Sequence, residues 1–96
     1  MLILEMLDLI LFTTKGCISS ETMADKVSQV VNDEFLEQVS LKGKVMELNP
    51  RLCKEVGVTD APTLYCKQTK ERLEGVHSFV KISSWINEQI IKNGTH

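Results

Sequence analysis

The hydrophobic and polar positions of this chain alternate in blocks that predict strands and helices in turn. Residues 9–12 form a continuous apolar run followed by polar residues, which is typical of a strand buried on both faces of a sheet. The pattern then changes to helical spacing, with apolar residues at positions 23, 27, 30 and 31. Ser19 or Ser20 can cap this helix, and its apolar stripe resumes at Phe35 and extends to Val39.

The remaining elements follow from turn residues and short apolar runs. They are a turn at 41–43, a strand at 45–48, a helix from Pro50 to Gly57, a strand at 63–66, a polar turn at 67–70, a strand at 72–76, and a last helix capped by Ser83 or Ser84 that ends at Asn93-Gly94. This order, βαβ followed by αββα, predicts an α/β fold with one four-stranded mixed sheet and helices on both faces. We expect residues 1–96 to form one domain, because 96 residues leave no room for a second core.

Charge and cysteine content exclude several classes of partner. The chain has 11 Lys and Arg against 13 Asp and Glu, and its basic residues are scattered rather than gathered in a stripe. That pattern argues against nucleic acid and acidic membranes as partners. The apolar opening at residues 1–8 contains two acids and is too short to span a bilayer. Three cysteines without a signal peptide favour a cytoplasmic location, with the protein as a monomer or weak homodimer.

Cys17 is the first candidate for chemistry, since it lies where the first strand gives way to the first helix. Free amides and the positive end of the helix dipole stabilise a thiolate at that position. Further lowering of the pKa would need local amides, the Ser20 hydroxyl or Lys15. The alternatives are that Cys17 is a small buried hydrophobe or an incidental surface thiol, and that Ser20 is a capping or first-turn serine.

Two strings then suggest a family. Residues 9–17, Leu-Ile-Leu-Phe-Thr-Thr-Lys-Gly-Cys, resemble the segment of glutaredoxins in which an aromatic-Thr-Lys run leads to the cysteine. Residues 48–58, continuing into Ala61-Pro62-Thr63, resemble thioredoxins, in which a short helix and Gly-Val precede a cis-proline. The match covers about residues 8–91. It implies a thioredoxin-like fold with Cys17 as the nucleophile, a cis bond before Pro62, and a peptide-binding surface at Ala61, Pro62, Thr63 and Lys15.

The chain departs from the family pattern at several positions. Ser20 replaces the second active-site cysteine, so the site has the form Cys-x-x-Ser, and Gly16 stands where thioredoxins have tryptophan. Leu11 replaces a buried acid that assists proton transfer, and the glutathione-binding Thr-Val-Pro and Gly-Gly-acid strings are absent from the sequence. Without a resolving cysteine, a general disulfide reductase is disfavoured. Ser20 would instead hydrogen-bond the thiolate of Cys17.

Two hypotheses of function follow. The first is a monothiol thiol–disulfide exchange protein that forms mixed disulfides with a protein or a low-molecular-weight thiol. The second is a redox-inactive binding module that holds an extended peptide in the groove between Cys17 and Pro62. We expect no cofactor and no metal: Ile18-Ser19 differs from the Gly-Phe of cluster-binding glutaredoxins, and the histidines have no metal-site spacing. Cys53 and Cys66 are expected in the core, with a resolving role as the alternative.

Overall fold

The computed structural model describes residues 6–94, in which one mixed sheet carries helices on both faces. Its elements are, in order, β1 (Leu7–Thr13), α1 (Ile18–Glu34), β2 (Val39–Val45), a single turn of 3-10 helix (Met46–Leu48), α2 (Pro50–Val56), β3 (Thr63–Cys66), β4 (Arg72–Glu74) and α3 (Phe79–Gly94). The strand order is β2-β1-β3-β4, with β1 parallel to β2 and both other pairs antiparallel. The predicted element order and four-stranded mixed sheet are confirmed.

β1 lies at the centre of the protein because both of its faces are apolar. Leu9 and Leu11 belong to a core cluster shared with α1 and α3, whereas Ile10 and Phe12 belong to a second cluster shared with α2. Side chains alternate across a strand, so a continuous apolar run fills both faces. The prediction of a strand buried on both sides is confirmed. No helix within residues 6–94 is long and apolar enough to cross a membrane, and residues 1–5 of the apolar opening lie outside the described residues.

The predicted turn at 41–43 and strand at 45–48 are wrong. β2 begins at Val39 and ends where the 3-10 turn begins, so Lys42 and Gly43 lie within the strand. Both residues are exposed, as expected on a strand at the edge of the sheet. Their turn-like composition is overridden by pairing with β1 along the whole strand.

The start of α1 also differs from the expectation of a Ser19 or Ser20 cap. Cys17 itself occupies the N-cap position in an extended conformation, and its carbonyl oxygen accepts the N–H of Glu21 at 3.1 Å. Ser20 therefore lies in the first turn of the helix. The consequence is that the thiol sits at the helix N-terminus rather than before a separate cap.

The last helix begins earlier than the predicted Ser83 or Ser84 cap. The hydroxyl oxygen of Ser78 accepts the N–H of Lys81 at 3.1 Å, which is the N-cap hydrogen bond, and α3 starts with the next residue. Ser83 lies inside the helix, where its hydroxyl donates to the carboxylate of Glu34 at 2.7 Å. The helix extends to Gly94, the last described residue, so the predicted end at Asn93-Gly94 stays a prediction.

Candidate functional site

The antiparallel pairing of β1 with β3 brings the two halves of the candidate site to one edge of the sheet. Phe12 pairs with Thr63, so the end of β1 lies beside the start of β3. Three residues then separate β1 from Cys17, and Pro62 directly precedes β3. Residues that are far apart in sequence are therefore neighbours in the fold.

Cys17 carries a free, partly exposed thiol at the N-terminus of α1. Its pKa is lowered, chiefly by a hydrogen bond from the backbone N–H of Ser20 and next by the hydroxyls of Ser20 and Thr14. Desolvation opposes these effects, and the backbone N–H of Ser19 adds a smaller lowering. The amides involved belong to the first turn of the helix, where N–H groups have no intrahelical acceptor. The arrangement therefore favours the thiolate.

Ser20 connects the helix to the loop that precedes it. Its side chain is only 1% exposed, and its hydroxyl oxygen accepts the main-chain N–H of Thr14 at 3.2 Å. Accepting that bond leaves the hydroxyl hydrogen free to be donated to the sulfur of Cys17. The buried Ser20 hydroxyl can thus hold the loop through its oxygen and stabilise the thiolate through its hydrogen.

The loop between β1 and Cys17 turns at Lys15 and Gly16. Gly16 has φ of +69°, a conformation in which L side chains are strained, so the tryptophan expected from the resemblance would be unfavourable here. The N–H of Lys15 donates to the carboxylate of Glu47 at 2.9 Å, and the residue is exposed. Among the described residues, the causes of the lowered Cys17 pKa are hydrogen bonds and do not include the charge of Lys15.

Ala61, Pro62 and Thr63 form the other side of the site. The Ala61–Pro62 peptide bond is cis. The hydroxyl of Thr63 donates to the carbonyl oxygen of Asp60 at 2.7 Å, and the carbonyl oxygen of Pro62 accepts the N–H of Gly75 at 2.8 Å. Pro62 and Thr63 are buried, so the partly exposed Ala61 is the member of the three that faces solvent most.

The other two thiols lie away from the surface, on opposite faces of the sheet. Cys66 is fully buried in the cluster with α1 and α3, and Cys53 is buried in the cluster with α2. All three cysteines are free. Within residues 6–94, no group of three or more His, Cys, Asp or Glu side chains is placed to hold a metal ion.

Sequence reasoning missed two side chains of the site and two supporting backbone groups. Thr14 contributes its hydroxyl to Cys17 and its N–H to the Ser20 oxygen, and Glu47 holds Lys15. The backbone groups are the carbonyl of Asp60 and the N–H of Gly75. Thr14 lies in the motif itself and could have been considered. Glu47 was hidden because the pattern placed it inside a strand.

Two solved structures resemble this one over most of the chain. Thioredoxin-2 of a malaria parasite, described as a component of that parasite's protein secretion machinery, superposes with a TM-score of 0.76 at 15% identity, covering 86% of this chain and 82% of that one. The thioredoxin of Malassezia sympodialis, described as a member of a pan-allergen family, gives 0.71 at 13% identity, covering 91% and 74%. No family model and no curated protein matches the sequence. The shared sheet and helices show that the chain has a thioredoxin-like α/β fold.

Proposed function

We propose that this protein carries out thiol–disulfide exchange with Cys17 as its one reactive thiol. The observation that carries the proposal is a partly exposed thiol at a helix N-terminus whose pKa is lowered by hydrogen bonds from Ser20 and Thr14. The attacking species in disulfide exchange is the thiolate, so this environment increases the reactive fraction at neutral pH.

The reaction proceeds in two exchange steps. The Cys17 thiolate attacks one sulfur of a partner disulfide, a new S–S bond forms, and the old one breaks. The second partner sulfur leaves as a thiolate and takes a proton from solvent. An external thiolate then attacks the partner sulfur of the mixed disulfide, forms a disulfide with it, and releases Cys17 as a thiolate. The external thiol is oxidised, and the departed partner thiol is the reduced product.

Ser20 suits this monothiol course because its hydroxyl can stabilise the sulfur of Cys17 but cannot attack the mixed disulfide. Cys53 and Cys66 are buried in the two core clusters, which supports release by an external thiol. The protein acts without a cofactor, as a monomer or weak homodimer. We place it in the cytoplasm, where thiols are kept reduced.

The partner in this proposal is an extended protein segment or a low-molecular-weight disulfide that lies between Cys17 and the Ala61–Thr63 segment. Ala61 is partly exposed, and its N–H and C=O groups make no hydrogen bond to another residue between 6 and 94. Free main-chain groups beside a nucleophile can pair with an extended peptide in the manner of an added strand. The proposal assigns Lys15, which is exposed two residues before Cys17, to the same binding surface.

The test is turnover of a glutathionylated peptide with excess glutathione as the external thiol. Wild-type protein is expected to accelerate release of the peptide thiol, and Cys17→Ser is expected to reduce the rate to the uncatalysed background. Cys53→Ala is the matched control, since it removes a buried thiol and should retain the wild-type rate. A wild-type rate equal to background, or activity that persists in Cys17→Ser, would refute exchange at Cys17.

A second candidate is a non-covalent binding module at the same corner. Ile18, next to Cys17, is 79% exposed, and Val76 is 43% exposed just after Gly75, which hydrogen-bonds Pro62. Exposed apolar side chains on both sides of a site favour a protein partner. Binding by this mode should survive Cys17→Ser and reducing agent but be lost in Ala61→Arg. Binding that disappears on reduction would instead show that a disulfide holds the complex.

A further inference from the structure

We propose that Glu47 is a positioning residue for Cys17, acting through the loop that carries the thiol. The inference rests on the proposed function in so far as it concerns the same reactive thiol. The carboxylate of Glu47 accepts the main-chain N–H of Lys15 at 2.9 Å, and Lys15 lies two residues before Cys17. Glu47 is exposed and belongs to neither core cluster, so we infer its role from this hydrogen bond and not from packing in the core.

The parallel register of β1 and β2 explains why these two residues meet. Thr13 at the end of β1 pairs with Val45 at the end of β2. Lys15 and Glu47 each follow two residues later, so both lie at the end of the sheet where these two parallel strands terminate. Asn49 stabilises the 3-10 turn, because its side-chain amide donates to the Val45 carbonyl at 2.8 Å while its backbone N–H closes the turn. The Glu47 carboxylate therefore extends from a turn that hydrogen bonds hold in place.

The loop is held at two successive amides from two different elements. Thr14 donates its N–H to Ser20 in α1, and Lys15 donates its N–H to Glu47 in the 3-10 turn. The next residue, Gly16, has φ of +69°, and a Cβ added there would meet no atom within 4 Å beyond its two chain neighbours. Within residues 6–94, a loop without the Glu47 bond would be held by the two hydrogen bonds of Thr14, from its N–H to Ser20 and from its hydroxyl to Cys17.

A carboxylate in this place has two effects of opposite sign on the thiolate. Its hydrogen bond keeps Cys17 in line with the first amides of α1, which favours the thiolate. Its negative charge disfavours a second negative charge nearby. Among the described residues, no charged group contributes to the lowered pKa of Cys17, whose causes are hydrogen bonds. The hydrogen bond should therefore outweigh the charge, and an uncharged acceptor of the same shape should serve equally well.

Two variants separate the hydrogen bond from the charge. Glu47→Gln keeps an acceptor oxygen for the Lys15 N–H, whereas Glu47→Ala removes it. Glu37→Ala is the matched control: it removes the same charge from an exposed residue at the other end of the sheet, where neighbouring Gln38 bonds the start of β1. The assay is the alkylation rate of Cys17 by iodoacetamide from pH 5 to 10, resolved from the other cysteines by peptide mass spectrometry.

Glu47→Ala is expected to slow alkylation at neutral pH by about 2- to 10-fold, the factor that corresponds to one net hydrogen bond, and to move the inflection to higher pH. Glu47→Gln and Glu37→Ala are expected to follow the wild-type profile. Amide exchange at Lys15, measured by NMR, should accelerate in Glu47→Ala alone. An unchanged profile in Glu47→Ala, or equal slowing in Glu47→Gln, would overturn the proposal.

The outcome does not depend on the proposed exchange activity. Alkylation reports the thiolate of Cys17 directly, so the positioning role can hold even if the glutathionylated peptide is not turned over. Conversely, turnover that depends on Cys17 but is the same in Glu47→Ala, with an unchanged alkylation profile, would retain the function and reject the role of Glu47.

Discussion

Replacing Ser20 with alanine removes a hydroxyl that both stabilises the Cys17 thiolate and accepts the Thr14 N–H. The pKa of Cys17 should rise towards its ordinary value. The rise should be partial, because the largest cause of the lowering is the backbone N–H of Ser20, which alanine retains. Alkylation of Cys17 at neutral pH should therefore be slower than in wild type but faster than for an unfolded thiol.

The same change should also reduce stability by a modest amount. The side chain of Ser20 is 1% exposed and makes one hydrogen bond to the main chain, at 3.2 Å. A net hydrogen bond contributes about 0.5–1.5 kcal/mol to folding. Only one oxygen is removed, so the added cavity is small, and the free energy of unfolding should fall by about 1 kcal/mol. For a domain of this size that lowers Tm by roughly 4–8 °C.

The assay combines two measurements on Ser20→Ala, namely the pH profile of Cys17 alkylation and urea unfolding. Ser19→Ala is the matched control, because Ser19 is exposed and acts on Cys17 through its backbone N–H, which alanine keeps. It should leave both measurements unchanged. The reasoning is refuted if Ser20→Ala and Ser19→Ala give the same profile as wild type, since the hydroxyl would then have no part in stabilising the thiolate.

Three further predictions concern stability and use urea unfolding. Because the pKa of Cys17 is lowered in the folded state, its contribution to the free energy of unfolding grows as pH rises from the folded pKa to the ordinary thiol value of about 8.5, and is lost as pH falls through the folded pKa. Cys17→Ser should abolish this pH dependence, and a slope that persists in the variant would contradict its assignment to Cys17. Gly16→Ala should lower the free energy of unfolding by about 1–2 kcal/mol from backbone strain alone, because Gly16 has φ of +69° and open space where a Cβ would lie. Gly43→Ala in the edge strand should change it by less than about 0.5 kcal/mol, and equal effects of the two variants would reject the conformational explanation. Arg72→Lys should cost about 1 kcal/mol, because the guanidinium donates to the carbonyl of Val56, the last residue of α2, at 2.6 Å and to that of the C-cap Gly57 at 2.8 Å. Replacing the exposed Arg51 with lysine should be neutral, and a neutral Arg72→Lys would mean that the two guanidinium hydrogen bonds add no stability.

The elements that were predicted correctly are those with local signals. Pro50 and Gly57 mark the ends of α2, and Gly57 adopts the left-handed C-cap conformation that favours glycine. The apolar run that fills both faces of β1 also identified the central strand. β2 was placed wrongly because an edge strand needs to bury only part of its surface. Its exposed Lys42 and Gly43 take strand geometry from their partner in β1, which no local pattern shows.

In the site, too, features with a local sequence signal could be predicted, and features that depend on strand pairing could not. The position of Cys17 at the start of a helix could be predicted, because the change from a strand pattern to helical spacing is local. The contact between Glu47 and Lys15 could not, since it requires the correct register of two parallel strands. The role of the Ser20 hydroxyl toward the thiolate stays a prediction, and its bond to the Thr14 N–H depends on how the loop folds back on α1.

By itself, the sequence determined the order of strands and helices, the central place of β1, and the position of one thiol at a helix N-terminus. These features depend on side-chain periodicity and on residues such as proline and glycine, whose preferences act within a few positions of the chain. Only the tertiary structure decided the extent of β2, the proximity of Cys17 to Pro62, and the two hydrogen bonds that hold the Thr14 and Lys15 amides of the loop before Cys17. Those depend on which backbone groups face each other after the strands have paired, and pairing joins residues whose separation in sequence carries no local signal.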